Sequence, residues 1–313
     1  MRSSSGEDGL LAGPDGSLPG SALGLVVPSL ANPFWGALAR ELEQVSARDG
    51  YQLRVCNSER DRGREFRYVE QLLNEGVRGL VTCSSSRDMS HLVPLIERGA
   101  RVVAVDRSAK PGDPACVANV CVDNAAGIRL AVDHLRSLGH RRICYVSAPI
   151  PSVSRDERSS AFAAAVAESG LEEDECAVWP PRAHVPFGDT ALAELGRTAA
   201  CELLTGEEDQ ATAFICVNDM CALGFSSGAL DLGYRIPDDI SVVGFDDVLL
   251  AAFFHPPLTT VRQPLAVMAE AAFAAVRGMV EGGDRPTGST VVVQPELVVR
   301  GSAGPVRTRC TRG

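Results

Sequence analysis

Short apolar runs alternate along this chain with longer stretches in which apolar residues recur every three or four positions. Runs with no polar residue suit strands covered on both faces, as in a parallel sheet. The three-and-four spacing is that of a helix burying one side. Leu23–Val27, Gln52–Cys56, Gly79–Cys83, Arg101–Asp106 and the shorter Val117–Val122 read as strands. Between them the spacing predicts a helix from Pro33 to Asp49 with Leu38, Leu42 and Val45 on one face, stopped by Gly50. A second is predicted over Gly63–Glu75, with Phe66, Val69, Leu72 and Leu73 together, and a third over His91–Arg98. The alternation then restarts. Helix Ala125–Leu138, closed by Gly139, precedes strand Arg142–Ser147, helix Asp156–Ser169, closed by Gly170, and a short strand Ala177–Trp179. Helix Ala191–Leu204, strand Ala213–Val217, helix Met220–Leu232 and strand Ser241–Phe245 follow. After a loop come an extended Leu258–Arg262, a long Ala-rich helix Pro264–Glu281, and short strands at Val291–Gln294 and Leu297–Arg300. Repeated strand–helix units of this length imply an α/β fold with parallel sheets and helices on both faces. Two blocks of them imply two similar lobes.

The corner after the first strand stands out. Asn32-Pro33 opens a helix, since the N–H that proline lacks has no partner in a first turn. Phe34 and Trp35 follow at once. In open α/β sheets this corner, beyond the carboxyl end of a strand, is where ligands bind. The plainer reading is that both rings pack on the sheet as ordinary helix-start residues.

Composition narrows the function. The chain has 313 residues, enough for two domains. Its formal net charge is −10, which repels phosphate backbones, so the chain as given is not expected to hold DNA by itself. Residues 1–21 are rich in Gly, Ser and Pro, lack the apolar core of a secretory signal, and are expected to be a disordered segment or linker. No run approaches the roughly 18 apolar residues of a membrane span. The ten cysteines are scattered singly with no CxxC, and Cys83, Cys144 and Cys216 sit inside apolar runs. They read as small buried hydrophobes in a reducing compartment. Neither a structural metal nor a disulfide framework is expected, and the location implied is cytoplasmic.

Catalytic motifs find little support. Gly224-Phe225-Ser226-Ser227-Gly228 matches G-x-S-x-G, but a nucleophile elbow needs its serine straight after a strand. Ser226 falls about two turns into a predicted helix. The dinucleotide loop G-x-G-x-x-G is absent, the turn after Val27 being PSLANP, so no nucleotide cofactor is expected. The histidines His91, His134, His140, His184 and His255 have no partner spacing. What remains is a set of polar groups on the carboxyl side of strands: Asp106-Arg107, Asn218-Asp219, Asp246-Asp247, and Asp156-Glu157-Arg158 opening a helix. Any one of these can be a helix cap, as Asp219 can for its helix. Several converging from two lobes, with two aromatics, suggest a cleft. Carboxylate and amide edges with an arginine suit vicinal hydroxyls, and an aromatic face suits a sugar ring.

The stretches LGLVVPSLANPFW, YQLRVCNSERD, VRGLV, VVAVDR, VCVDNAAGIRLAVDHLRSLGHRRICYV, ERSSAF, FICVNDMCALG, IPDDISVVGFDDV, PPLTTVRQP and PELVVRGS carry a resemblance. From about Ala22 to Ser302 the chain resembles the effector-binding core of LacI/GalR-family transcriptional regulators and, by the same fold, the periplasmic sugar-binding proteins. IPDDISVVGFDD followed by LTTVRQP resembles the regulator branch. The resemblance implies two Rossmann-like lobes with three crossings, near Val122–Asn124, Thr260–Arg262 and Thr287–Ser289. Residues 22–122 plus 262–287 would form the first lobe, 123–261 plus 288–302 the second, and 303–313 a tail. The cleft would draw Asn32, Phe34, Trp35, Cys83, Asp106 and Arg107 from the first lobe. Arg158, Asn218 and Asp246 would come from the second, with Gln263 at the crossing. Arg158 would grip the ligand and Asp246 accept its hydroxyls. Two departures stand out. The first 21 residues do not resemble the family's helix-turn-helix and hinge helix, and Trp179–Asp189 does not align cleanly, Phe187 being the candidate aromatic there. The expected function is sensing. A small effector, a sugar, would bind between the lobes of a homodimer and change operator affinity through a DNA-reading head not seen in this chain. A transport-type solute-binding protein is the alternative, with an oxidoreductase or hydrolase behind it.

Overall fold

The computed structural model describes residues 22–147, 152–171, 176–179, 190–205, 211–282 and 288–306. The expected N-terminal segment, most of the terminal tail and the stretch around Phe187 lie outside these residues. The chain begins with β1 (Ala22–Val27), α1 (Pro33–Ala47), β2 (Gln52–Asn57), α2 (Arg62–Asn74), β3 (Gly79–Thr82), a 3-10 turn at Ser90–Leu92 leading into α3 (Val93–Glu97), β4 (Arg101–Val105) and β5 (Ala118–Val122). There follow α4 (Asn124–Ser137), β6 (Ile143–Val146), α5 (Val153–Ser169), β7 (Ala177–Trp179), α6 (Thr190–Leu204), β8 (Ala213–Cys216), α7 (Asp219–Asp231), β9 (Ser241–Asp246), α8 (Leu249–Phe253) and β10 (Thr259–Arg262). The chain continues through α9 (Leu265–Val280), β11 (Thr290–Val293) and β12 (Glu296–Val298).

The strands form two six-stranded sheets, ordered β11-β5-β4-β3-β1-β2 and β12-β10-β9-β8-β6-β7. Every pairing is parallel except β10 with β12. The two orders are the same pattern read twice. Strand order reverses at β1/β3 in one lobe and at β6/β8 in the other, which opens a crevice at the carboxyl ends of the strands in each. The paired-lobe α/β expectation holds, with β1, β3, β4 and β5 almost fully buried, as continuous apolar runs require.

Helix starts follow capping chemistry. Asn32 accepts the Phe34 N–H at 3.0 Å, Asp123 the Ala126 N–H at 2.9 Å, and Asn218 the Cys221 N–H at 3.0 Å. Asn218, not Asp219, therefore caps α7. Asp219 turns inward instead, accepting Thr260 Oγ1 at 2.5 Å and the Val248 N–H at 2.8 Å.

Three details depart from the sequence reading. The loop after β9 contains the short helix α8, whose run of apolar residues has no amphipathic period to announce it; Leu249 and Phe253 are 75% and 78% exposed. α5 begins at Val153, three residues earlier than Asp156. β11 pairs with β5 in the first sheet, so residues 290–293 belong to the first lobe. The chain changes sheet at Gln294–Pro295, not near Thr287–Ser289. The reason is edge pairing: β5 offers a free edge, and the apolar Val291–Val293 run completes it.

Candidate ligand-binding cleft

Two carboxylates face each other across the lobes. Asp106 follows β4 in the first, and Asp246 ends β9 in the second. Both adopt the left-handed region that L side chains rarely occupy, with φ of 60° and 119°. The turn aims each carboxylate into the space between the sheets, and such strain clusters at functional positions.

Between them lies Arg158 of α5, 4% exposed. Its guanidinium is held from several sides. Nε donates to Asn124 Oδ1 at 2.8 Å and Nη1 to the Val217 carbonyl at 3.0 Å, while the Phe245 ring lies 3.7 Å beneath. Asp246 Oδ1 is 3.6 Å away and Asp106 Oδ1 3.8 Å. Asp106 Oδ2 accepts from Ser154 Oγ at 3.0 Å, a direct bond between the lobes. Burial pushes the Asp246 carboxyl up to about 7; Arg158 opposes this and Asp106 adds to it. Burial likewise raises Asp106, against the pull of Arg158 and the Ser154 hydrogen bond. Arg158, with a smaller contribution from Arg155, thus partly offsets the burial that penalises the charged forms of both carboxylates.

The aromatic wall comes from α1. Phe34 and Trp35 meet edge to face, with centroids 4.8 Å apart and planes at 81°. Both rings are buried, so they pack as core residues and line the cleft at once. Trp35 Nε1 and Asp106 Oδ1 have no hydrogen-bond partner.

Seven of the sequence-predicted residues line one cavity: Asn32, Phe34, Trp35, Asp106, Arg158, Asn218 and Asp246. Gln263 stands behind it, donating from Nε2 to Asp246 Oδ1 at 2.8 Å. Cys83 is buried and does not line the cavity, its thiol pushed well up by burial and by nearby Asp106 and Glu65. Arg107 points elsewhere. It is 0% exposed, grips both oxygens of Asp113 at 2.8 and 2.9 Å, and donates to the Ser86 carbonyl at 3.1 Å. Arg60, Ser152, Ser154 and Arg155 also line the cavity. Sequence reading missed them, although the polar residues Ser152, Ser154 and Arg155 just ahead of the helix predicted from Asp156 were a signal. The cavity is closed down to about 20 Å³, room for one water. A larger depression of about 450 Å³ lies at the carboxyl end of α4, around Asp133, Arg136 and Arg141, and gathers none of the predicted residues.

Residues 132–303 match the periplasmic binding protein-like domain. The chain is 38% identical over 291 residues to an uncharacterised HTH-type transcriptional regulator of Streptomyces limosus, covering 90% of this chain and 78% of that protein. It is 31% identical over 280 residues to the HTH-type transcriptional regulator GalR of Escherichia coli, covering 90% of this chain and 78% of GalR. The chain belongs to the LacI/GalR family of transcriptional regulators. A LacI family regulator from Enterococcus faecium, solved with bound ribose, superposes with a TM-score of 0.78 at 23% identity, covering 91% of this chain and all (100%) of that one. A LacI regulator from a Rhodococcus species superposes with a TM-score of 0.76 at 30% identity, covering 91% and 99%. Ser226 is buried inside α7, two turns from its start. Among the described residues no helix is long and apolar enough to cross a membrane.

Proposed function

We propose that this chain senses a small polyhydroxylated effector, a sugar, held between its lobes, and that lobe closure on the effector changes operator affinity. The observation that carries this reading is Arg158, buried and fixed between Asp106 and Asp246 beside two buried polar atoms without a hydrogen bond, Trp35 Nε1 and Asp106 Oδ1. Buried polar atoms without a hydrogen bond are rare, and a ring hydroxyl serves both kinds, accepting from the indole and donating to the carboxylate. The Phe34 and Trp35 faces suit the C–H face of a sugar ring. Ribose in the Enterococcus faecium structure and D-xylulofuranose in one from Alkaliphilus metalliredigens fit the same ligand class. The operator is reached through a helix-turn-helix head of the kind the relatives' names carry, and the working unit is a homodimer in the cytoplasm. The effector shifts the regulator only by its difference in affinity for the closed and open forms.

The test is a thermal-shift screen with pentoses, hexoses, disaccharides, nucleosides and amino acids, run on the parent and on Arg158→Ala. A ligand at 100 times its dissociation constant adds about 2.7 kcal/mol of stability. Arg158→Ala removes charge-assisted hydrogen bonds worth about 1.5–3 kcal/mol each, so the shift disappears. A sugar that stabilises both proteins equally binds elsewhere, and a panel without a sugar hit overturns the reading.

A further inference from the structure

Glu157 immediately precedes Arg158 on α5 and is not among the residues lining the cleft. Its carboxylate joins partners from both lobes. Oε1 accepts from Ser108 Oγ and, at 2.8 Å, from Lys110 Nζ, both on the loop between β4 and β5 of the first lobe. Oε2 accepts from Asn124 Nδ2 at 2.9 Å, at the start of α4 in the second lobe. The other end of that amide, Asn124 Oδ1, accepts from Arg158 Nε at 2.8 Å. The loop carrying Ser108 and Lys110 is itself braced. Asp113 takes both Arg107 hydrogen bonds and, at 2.8 Å, the Lys110 N–H. Burial pushes the Glu157 carboxyl up, but the hydrogen bonds from Lys110, Ser108 and Asn124 outweigh it and hold the group below its usual range.

We infer that Glu157 is a positioning residue that couples lobe closure to the aim of Arg158. The inference rests on the reading of Arg158 as the effector's grip. An asparagine amide has one accepting and one donating end. With Nδ2 held by Glu157, Oδ1 must face Arg158 Nε, and the guanidinium is fixed toward the cleft. When the lobes part, Ser108 and Lys110 leave Glu157, the carboxylate is released from one side, and the Asn124 amide loses its fixed orientation. Closure rebuilds the chain of contacts in the opposite direction. An arginine aimed in advance loses less freedom when the effector arrives. Glutamine cannot replace Glu157, because its single acceptor satisfies either Lys110 or Asn124 and turns an N–H donor toward the other. Arg107 acquires a role here as well: it supports the loop whose tip reaches across.

The experiment uses the whole chain without effector, so its outcome is independent of the sugar reading. In a Trp179→Phe background Trp35 is the remaining tryptophan of the two in the sequence. Acrylamide quenching of Trp35 then reports opening of the cleft. Hydrogen exchange of the Arg158 Nε–H, assigned by its loss in Arg158→Lys, reports the aim of the arginine. Lys110→Met, at a partly exposed position, Glu157→Gln and their double variant are compared with the parent, with thermal unfolding as the check on folding. Each single variant is expected to raise both the quenching constant and the exchange rate at least about twofold, and the double to do no more than either, as members of one chain of contacts behave. Readouts in Lys110→Met equal to the parent's overturn the inference, and so do additive effects in the double variant. Quenching that rises with no change at Arg158 overturns it too, because Glu157 would then latch the lobes without aiming anything.

Discussion

Asp246 carries the sharpest consequence at the scale of single residues. Its carboxyl is pushed up to about 7 by burial, with Arg158 pulling the other way, against about 3.9 for an unperturbed aspartate. A raised folded-state value means that the native chain binds this proton more tightly than the unfolded chain. The resulting stabilisation is complete below about pH 4 and is lost as pH rises through about 7. Asp246→Asn removes this slope. The melting temperature of the variant relative to the parent is expected to rise by several degrees between about pH 5 and about pH 8, as followed by circular dichroism. His140, which burial holds below its ordinary value, tilts the curve the opposite way at low pH, but it is common to both proteins and cancels in the difference. Equal pH profiles would mean that Asp246 is ionised throughout. Binding has a matching sign: an effector hydroxyl that donates to the ionised Asp246 binds more tightly above pH about 7 than below it.

At the scale of elements, α6 and α7 explain a motif that the chemistry left over. A Cβ on Gly224 would stand 1.8 Å from the Ala193 carbonyl oxygen, and one on Gly196 would stand 2.0 Å from that of Cys221. The two helix backbones touch, and Gly224 and Gly228 serve that approach, not a nucleophile. Gly224→Ala must push the helices apart, at a cost of about 1–3 kcal/mol or more. The urea midpoint is expected to fall accordingly with little change in slope; an unchanged midpoint would mean that the contact is loose. Such reasons set the limit of what sequence could reveal. Strand and helix order was legible because buried runs and single-face helices write their periods into the chain. α8 and the placement of β11 were not, since a five-residue helix is too short for a period and a strand's sheet is decided by which edge is free. The cleft residues Asp106, Arg158 and Asp246 were visible as charges stranded at strand ends or helix starts. Arg107 looked the same in sequence, and Asp113, six residues away, together with the Ser86 carbonyl turns it aside.

At the scale of the whole molecule, the described residues form two lobes, neither continuous in sequence. The chain crosses at Asp123, again at Gln263–Pro264 and again at Gln294–Pro295, so α9 and β11 complete the first lobe long after its other elements. α9 packs its Met268, Ala272, Phe273 and Val276 face into the core. A fragment of residues 22–122 would lack both that cover and the strand beside β5. It is expected to bind a hydrophobic dye and show no cooperative melting, whereas the whole chain melts cooperatively. A fragment that folds tightly would show that the late helix is dispensable.

A chamber with room for about one water has a kinetic meaning as well. On the proposed reading, a sugar-sized effector cannot fit a cleft this narrow and must wait for the lobes to part. The observed association rate then climbs with effector concentration only until opening becomes the slow step, and flattens beyond it. Stopped-flow mixing would show that plateau, and a rate rising linearly throughout would mean that the lobes stand apart most of the time. With the plateau, the promptness of the transcriptional response is set by the protein's own breathing, and a flood of effector cannot hurry it.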